Sequence, residues 1–542
     1  MRKVYVNKKL IEECIDEMKP SNCFGWDGVN SNMIKNGKSN SLVYLIKSLI
    51  NAIICSGFIP NEFNRTIIKP IIKDNKKKEF DINNFRPVSI SNSLAQIFER
   101  VILKLSPNLI KSDDNQFGFK MGLSTYQPLF LVKETISKYK RSKTPCYVAS
   151  LDAEKAFDSL WRKGLFFKLV DKIDSNFWIL LYEYYSQSDG LISLSENQQS
   201  NIFRINKGVK QGGVLSPFLF NIYIDDLIVE INQSDYGCYL SNCKTTILGY
   251  CDDLILMASS LAHMQILLDK CQKFSEKWNI KFNANKSVVI NAGFKMYKDE
   301  DIYLFINHMK LKVVIESKYL GLIINKNNDG NEPTLLKYNL VEKCFFSLNG
   351  FGIKPPGVNP NIKAFIYNMY CLPKCTYGMG IFNLDKKTIK SINVSQNNLF
   401  RYALNIPYKS HISLIMKSLK VLDATTLYYS QICILIKLLH RHDYTKNILM
   451  ECLNESTVNK IDIFEDIKFI SDLLEIDMRT VIEYPDETRD LLIDNYVNKP
   501  DEKEFIDKIK NLIDNYTIEN KNELIKLIRL NYIVNNNSQL IT

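Results

Sequence analysis

The spacing of apolar and polar positions changes several times along the chain, and each change predicts an element. Residues 1–60 carry apolar positions at helical spacing around a Gly/Asn-rich turn at 22–40. Residues 65–73 (RTIIKPIIK) form a strand-like apolar run with basic positions, followed by a charged loop at 74–81. Helical spacing returns over 93–110 (SLAQIFERVILKLSPNLI), with Ser93 as the candidate cap and Pro107 marking the end. Residues 146–152 (CYVASLD) predict a strand that ends in an acid, then one helix through Val170 and another with an aromatic face over 177–185. An apolar helix is expected over 214–230. Residues 245–258 (TTILGYCDDLILMA) place two apolar arms around a polar centre, which predicts a hairpin. An amphipathic helix over 261–278 and a strand pair over 311–324 follow. From about 335 onward the pattern is helical, basic to about 420 and acidic after it.

No apolar run is long and uncharged enough for the ~20 residues a bilayer requires. Glu12, Glu13, Asp16 and Glu17 stand where a signal peptide needs an apolar stretch. A chain of 542 residues with 46% hydrophobic and 11% aromatic residues is a large folded one, not a disordered one. Its thirteen cysteines fall in no zinc-ligand spacing and predict reduced, mostly buried thiols in an intracellular protein. The net charge of +11 is uneven: residues 451–500 hold thirteen acids against five bases, so the remainder is strongly basic and suited to a polyanion.

Two predicted strand ends present carboxylates: Asp152 in LDAEKAFD, and Asp252 with Asp253 in GYCDDLIL. Joining nucleotides calls for two divalent ions about 4 Å apart, and hard oxygen ligands on rigid strands suit Mg²⁺. An isolated Asp-Asp pair is ordinarily a solvated turn or helix face; Asp225 and Asp226, after PFLFNIYI, are expected on the polar side of their helix with no metal. Between the two acid strands lies GVKQGGVLSPFLFNIYIDDL. Gly208, Gly212 and Gly213 allow a close approach of backbone to a flat ligand, and Gln211 offers a hydrogen-bonding group to the nucleotide or its template base.

LDAEKAFDSLW, GVKQGGVLSPFLFNIYIDDL, GYCDDLILMASS, FNANKSVVI and SKYLGLIIN resemble the successive palm motifs of reverse transcriptases, most closely those of non-LTR (LINE-type) retrotransposons. NNFRPVSISNSLAQIFERVI and QFGFKMGLSTYQPLFLV resemble the finger motifs of the same group. The resemblance implies an α+β right-hand polymerase with a palm built on an antiparallel sheet. Its parts would be an N-terminal helical finger extension (1–60), fingers (61–145), palm (146–330), helical thumb (331–420) and an acidic all-α C-terminal region (421–542). The implied activity is RNA-directed DNA polymerisation from a primer 3′-hydroxyl, with two Mg²⁺ ions, or Mn²⁺ in their place.

Carried onto this chain, the resemblance implies metal ligation by Asp152, Asp252, Asp253 and the main-chain oxygen of Ala153. It implies triphosphate contacts from Lys73 and Arg86, and a nucleotide pocket including Gln211 and Gly212. Phe157 would lie beneath the sugar and Lys286 beside the leaving pyrophosphate, while Tyr319, Leu320 and Gly321 would form a primer grip. Cys251 stands where the family commonly carries Ala. Implied partners are an RNA template, a DNA primer or target, dNTPs and a nuclease supplied in trans, with no membrane. Retrotransposon origin would imply a nuclear location, although Lys76–Lys78 is too short a basic run to establish import. Two competing readings are a group II intron-type reverse transcriptase with maturase function, since QGGVLSPFLFN fits both groups, and a catalytically idle RNA-binding derivative. The intact carboxylates and Gln211 argue against the second.

Overall fold

The helices at the N-terminus begin where side chains take up their unpaired backbone N–H groups. In the computed structural model, which describes residues 5–74, 81–195, 198–351, 353, 358–454, 461–498 and 502–515, these are α1 (Lys8–Asp16), α2 (Ser31–Asn36) and α3 (Asn40–Ser56). The side chains of Asn7, Asn30 and Ser39 accept from the N–H groups of Leu10, Met33 and Leu42. α3 stops at Gly57 in the left-handed region, φ +68°. The apolar faces of these helices pack on Ile97 and Val101 of α4 (Ser93–Leu105). The cap of α4 differs from the sequence expectation: Asn92, not Ser93, holds that position. The Asn92 side chain accepts from Trp26 N–H (3.0 Å) and donates to the Glu62 carbonyl (3.3 Å), so it ties two distant turns together instead of capping. Part of the charged loop, including Lys76–Lys78, lies outside the described residues.

A first sheet runs in the order β2-β1-β4-β5, with β6 also on β4. It joins β1 (Arg65–Ile72), β2 (Phe85–Ser91), β4 (Asp189–Ser195), β5 (Gln198–Gln199) and β6 (Phe203–Arg204). Between β2 and β4 come α5 (Tyr126–Arg141), β3 (Tyr147–Asp152), α6 (Ala156–Ser159), α7 (Arg162–Leu169) and α8 (Ser175–Ser186). The single helix expected through Val170 is broken between α6 and α7. There the Leu160 carbonyl accepts from Gly208 N–H (2.8 Å), and the Trp161 ring covers Gly164, where a Cβ would come within 2.4 Å of it.

The second sheet has the order β14-β11-β3-β10-β9. Its further strands are β9 (Ile247–Tyr250), β10 (Asp253–Ala258), β11 (Val288–Asn291) and β14 (Lys312–Val314). It is antiparallel except at the β11–β14 edge, which is parallel. Both faces are covered, which is why these strands read as nearly continuous apolar runs. Tyr147, Ala149, Leu151, Leu254 and Leu256 share a core with α7, α8, α9 (Ser216–Asn232) and α10 (Leu261–Trp278). Within α9, Asp225 is buried at 6% exposure rather than on a solvated face. It accepts from Asp113 N–H (2.7 Å), while Asp226 pairs with Lys168 (2.8 Å). Small hairpins pair β7 (Tyr239–Leu240) with β8 (Cys243–Lys244), β12 (Phe305–Ile306) with β13 (Met309–Lys310), and β15 (Glu316–Tyr319) with β16 (Leu322–Asn325).

The opposite face of this sheet, with Val148, Ile255, Met257 and Ile290, belongs to a core that also takes in α5 and helices far along the chain. These are α11 (Asn331–Ser347), α12 (Pro360–Ile366), α13 (Pro373–Thr376), α14 (Lys386–Ala403), α15 (Ser413–Ser418) and α16 (Ala424–Leu439). They continue as α17 (Asp443–Asn454), α18 (Ile463–Leu474), α19 (Met478–Glu483), α20 (Pro485–Val497) and α21 (Lys503–Asp514). A charged cluster sits inside this core. Lys133 and Glu134 have side chains 2% and 1% exposed, and Lys133 Nζ lies 2.9 Å from both Glu134 Oε1 and Asp462 Oδ2. Lys133 also donates to Asn383 Oδ1 (2.7 Å), and Glu134 Oε2 accepts from Asp462 N–H (2.8 Å). Burial pushes the Lys133 ammonium down, opposed by the Glu134 carboxylate. Among the described residues no helix is long and apolar enough to cross a membrane.

Candidate active site

The register of β3 against β10 sets Asp152 directly opposite Asp253. Tyr250 pairs with Asp253 across β9 and β10, which leaves Cys251 and Asp252 as a two-residue turn. Cys251 takes a left-handed φ of +60°, as such tight hairpin turns require of their first residue. The buried Gln116 holds it there. Its Oε1 accepts from the N–H groups of Cys251 (2.8 Å) and Gly118 (3.1 Å), and its Nε2 donates to the Cys251 carbonyl (3.4 Å). A Cβ on Gly118 would lie 2.4 Å from Cys251 N, so only glycine lets this segment approach the turn. Sequence reasoning quoted the QFGF stretch without giving Gln116 a role; its signal is a polar residue beside a glycine, legible only once the partner turn is known.

The other acid strand is fixed by its own neighbours. Asp152 N–H donates to Ser287 Oγ (3.1 Å), and the Asp152 carbonyl accepts from Asn283 N–H (2.8 Å). Ala153 bridges to Phe282. Lys286 Nζ stands 3.5 Å from Asp152 Oδ2 with both side chains well exposed, a geometry that contributes little to stability. The three carboxylates interact. Burial pushes Asp252 up, with Asp152 adding to the shift and the Arg86 guanidinium opposing it. Asp253, though accessible to solvent, has enough protein around it to be pushed up to about 6, by burial first and then by Asp252 and Asp152. Among the described residues no group of three or more His, Cys, Asp or Glu side chains is arranged to hold a metal ion. The carboxylate oxygens of Asp152, Asp252 and Asp253 on two neighbouring strand ends are nonetheless of the hard donor type that divalent ions such as Mg²⁺ take, with positions left for waters and phosphates.

Next to the acid strands, Phe157 is half-buried and stacks on Phe220 with ring centroids 5.3 Å apart. Gln211 Nε2 donates to Asp158 Oδ2 (2.9 Å), and the Gln211 carbonyl accepts from Ser89 N–H of β2 (2.7 Å). The glycines meet protein backbone. A Cβ on Gly208 would lie 2.4 Å from the Asp158 carbonyl oxygen, and one on Gly212 2.9 Å from that of Ser89, both at positive φ. Gly213 instead faces a side chain, with a Cβ there 2.7 Å from Ser216 Oγ. Arg86 is exposed near the start of β2, opposite Ile71. Lys73 Nζ donates to the Asn83 carbonyl (3.0 Å). The Arg86 guanidinium opposes the upward shift of Asp252, and Lys73 opposes that of Asp158 on α6.

Tyr319 closes β15, and Leu320 and Gly321 form the turn to β16 at φ +44° and +85°. Tyr377 OH donates to the Leu320 carbonyl (2.6 Å) and also meets Thr125 Oγ1 (2.8 Å). Tyr319 itself is 3% exposed, so the turn, not this ring, is what the hairpin presents.

Residues 73–324 match the family described as "Reverse transcriptase (RNA-dependent DNA polymerase)". The chain is 24% identical over 430 residues to the RNA-directed DNA polymerase from mobile element jockey of Drosophila funebris, covering 77% of this chain and 46% of that protein. It is 24% identical to the probable RNA-directed DNA polymerase from transposon BS of Drosophila melanogaster, covering 73% and 44%. It is 23% identical to a Pol polyprotein from the R2 retrotransposable element of Popillia japonica, covering 71% and 53%. The chain therefore spans about half the length of these curated relatives. Among solved structures, apo telomerase from Candida tropicalis aligns over 87% of this chain and 74% of its own, at 14% identity and a TM-score of 0.37.

Proposed function

We propose that residues 73–324, which match the reverse-transcriptase family, are a polymerase domain of the non-LTR retrotransposon kind, and that the chain extends a DNA primer with dNTPs on an RNA template by a two-metal mechanism, in the course of retrotransposition. The observation that carries this reading is the in-register Asp152–Asp253 pair with Asp252 in the adjoining turn. A reverse-transcriptase domain requires a divalent metal. Asp152, Asp252, Asp253 and the Ala153 carbonyl would hold Mg²⁺, which when bound activates the primer 3′-hydroxyl and offsets triphosphate charge. The chain's own cations take the remaining charge. Arg86 and Lys73 hold the triphosphate, a guanidinium fork being suited to phosphate oxygens. The primer 3′-hydroxyl releases its proton to water as its oxygen bonds to the α-phosphorus and the bond to the bridging oxygen breaks, and Lys286 Nζ supplies a proton to the departing pyrophosphate. The Leu320–Gly321 turn steadies the primer end. Primer extension on poly(rA)/oligo(dT) with Mg²⁺ tests the reading; a folded protein that adds no dNTP overturns it.

Metal affinity will depend on pH, because the ligands must be ionised to bind. Asp253 is held at about 6, above the ordinary carboxylate range, so protons compete with metal below that pH. The Mg²⁺ concentration for half-maximal extension is expected to rise by up to about tenfold per pH unit below 6. Titrations at pH 5.5, 6.5 and 7.5 measure it, and a half-saturation independent of pH speaks against the assignment.

Phe157 is proposed as the wall that rejects a ribose. Phe157→Val opens space for a 2′-hydroxyl while losing the stack on Phe220, at a folding cost of a few kcal/mol at most. The ratio of kcat/KM for dNTP over rNTP is expected to fall by about 10- to 100-fold, with dNTP extension reduced but present. An unchanged ratio in a folded, active variant returns Phe157 to a purely packing role.

A further inference from the structure

Asp158 follows Phe157 on α6, and the polymerase reading gives it no task. Its Oδ2 accepts from Gln211 Nε2 at 2.9 Å, the bond that joins this helix to the glycine-rich loop through two side chains. The loop backbone is pinned without it. Val209 N–H donates to the Phe157 carbonyl (2.7 Å), and Gly208 N–H donates to that of Leu160 (2.8 Å). Ser89 N–H reaches the Gln211 carbonyl (2.7 Å), and Arg162 Nε donates to the Gly208 carbonyl (2.8 Å). A side-chain bond added to so fixed a backbone acts on the side chain. An ionised carboxylate only accepts hydrogen bonds, so it must take the NH₂ end of the amide. The carboxamide is then held one way round, with Nε2 toward α6 and the acceptor Oε1 turned from it. Gln211 is half-buried and Gly212 beside it is exposed, so this amide stands at the loop's open edge.

We propose that Asp158 is a positioning residue that sets which atom Gln211 offers, an oxygen acceptor, to a donor group of the incoming nucleotide or its template base. The inference rests on the polymerase reading above. Without Asp158 the amide is free to rotate and presents donor and acceptor by turns, which weakens binding of the correct nucleotide and blurs selection. Asn in its place keeps an oxygen that accepts from Nε2; Leu does not.

The test is a double-mutant cycle in single-nucleotide incorporation on an RNA template. Asp158→Leu is expected to raise KM for the correct dNTP about tenfold, the effect of losing one oriented hydrogen bond, with a smaller fall in kcat and more misincorporation. Asp158→Asn recovers most of the loss. In a Gln211→Leu background, Asp158→Leu adds less than about twofold, since the residue acts through Gln211. Equal losses in both backgrounds, or equal losses for Asn and Leu, overturn the proposal. Equilibrium dNTP binding to complexes with a dideoxy-terminated primer, all carboxylates intact, runs the same cycle without turnover. A wild-type chain that fails to extend primers therefore sinks the polymerase reading, while the binding cycle still decides the role of Asp158.

Discussion

Asp252→Asn reduces primer extension to below about a hundredth of the wild-type rate, the scale on which removing one electrostatic stabiliser of a transition state acts, and leaves the fold as stable or slightly more so. The loss follows from the position of Asp252 in the turn between β9 and β10, beside the paired Asp152 and Asp253. In the proposed two-metal reading its charge would help hold both ions, and an amide lacks that charge. The stability follows from the same crowding. Asp252 and Asp253 are both pushed up by burial and by their acidic neighbours. For a carboxylate held above its unfolded value, ionisation works against folding at every pH above that value, and the cost vanishes below it. Neutralising Asp252 therefore relieves a cost present at pH 7. Extension assays paired with thermal unfolding at pH 7 measure both halves. A variant that keeps more than about a tenth of the rate, or one that loses activity by unfolding, contradicts the assignment.

The second large effect lies far from the chemistry. Glu134→Ala strands Lys133, whose side chain is 2% exposed, with one of its two carboxylate partners gone. It also takes the acceptor from Asp462 N–H. Removing one member of a buried ion pair costs about 3–5 kcal/mol, whereas replacing the pair with apolar groups of similar volume is often neutral. Glu134→Ala is thus expected to lose about 3–5 kcal/mol in denaturant unfolding, and Lys133→Met/Glu134→Leu to recover most of it. A loss below about 1 kcal/mol for the single variant would mean that water reaches the cluster.

The hairpin expected at 245–258 and the helix at 261–278 were legible because their signals are local: apolar arms around a polar centre, and an amphipathic run. The structure adds that Ser260 caps α10, accepting from His263 N–H. Asp152, Asp252 and Asp253 were legible for the same reason, each ending or turning a strong strand. What escaped depends on residues distant in sequence. Ser93 was the expected cap, and Asn92 stands there instead, its side chain taken up by Trp26 and Glu62 from distant turns. The break between α6 and α7 exists because Gly208, nearly fifty residues later, takes the Leu160 carbonyl. Asp225 looked solvated because its partner, Asp113 N–H, lies on an unrelated loop. The glycines at 208, 212 and 213 were expected to bring backbone close to a flat ligand; what a Cβ there would meet is the chain itself, backbone at Gly208 and Gly212 and the Ser216 side chain at Gly213.

The cluster at Lys133 also bears on how the chain reaches its native state. Glu134 and Asp462 are 328 residues apart, and the core around them takes in residues from Phe117 to Ile513. At about 5–20 residues per second of synthesis, roughly a quarter of a minute to a minute separates the emergence of α5 from that of its charged partner. The N-terminal core, all of whose members lie within the first 105 residues, has the local contacts that close early. The core on one face of the second sheet does not. Val148, Ile255, Met257 and Ile290 share it with α5, made earlier, but also with helices as late as Ile513, so nascent chains halted between 300 and 460 leave that core incomplete, with apolar surface of the kind to which chaperones bind and through which stalled chains aggregate.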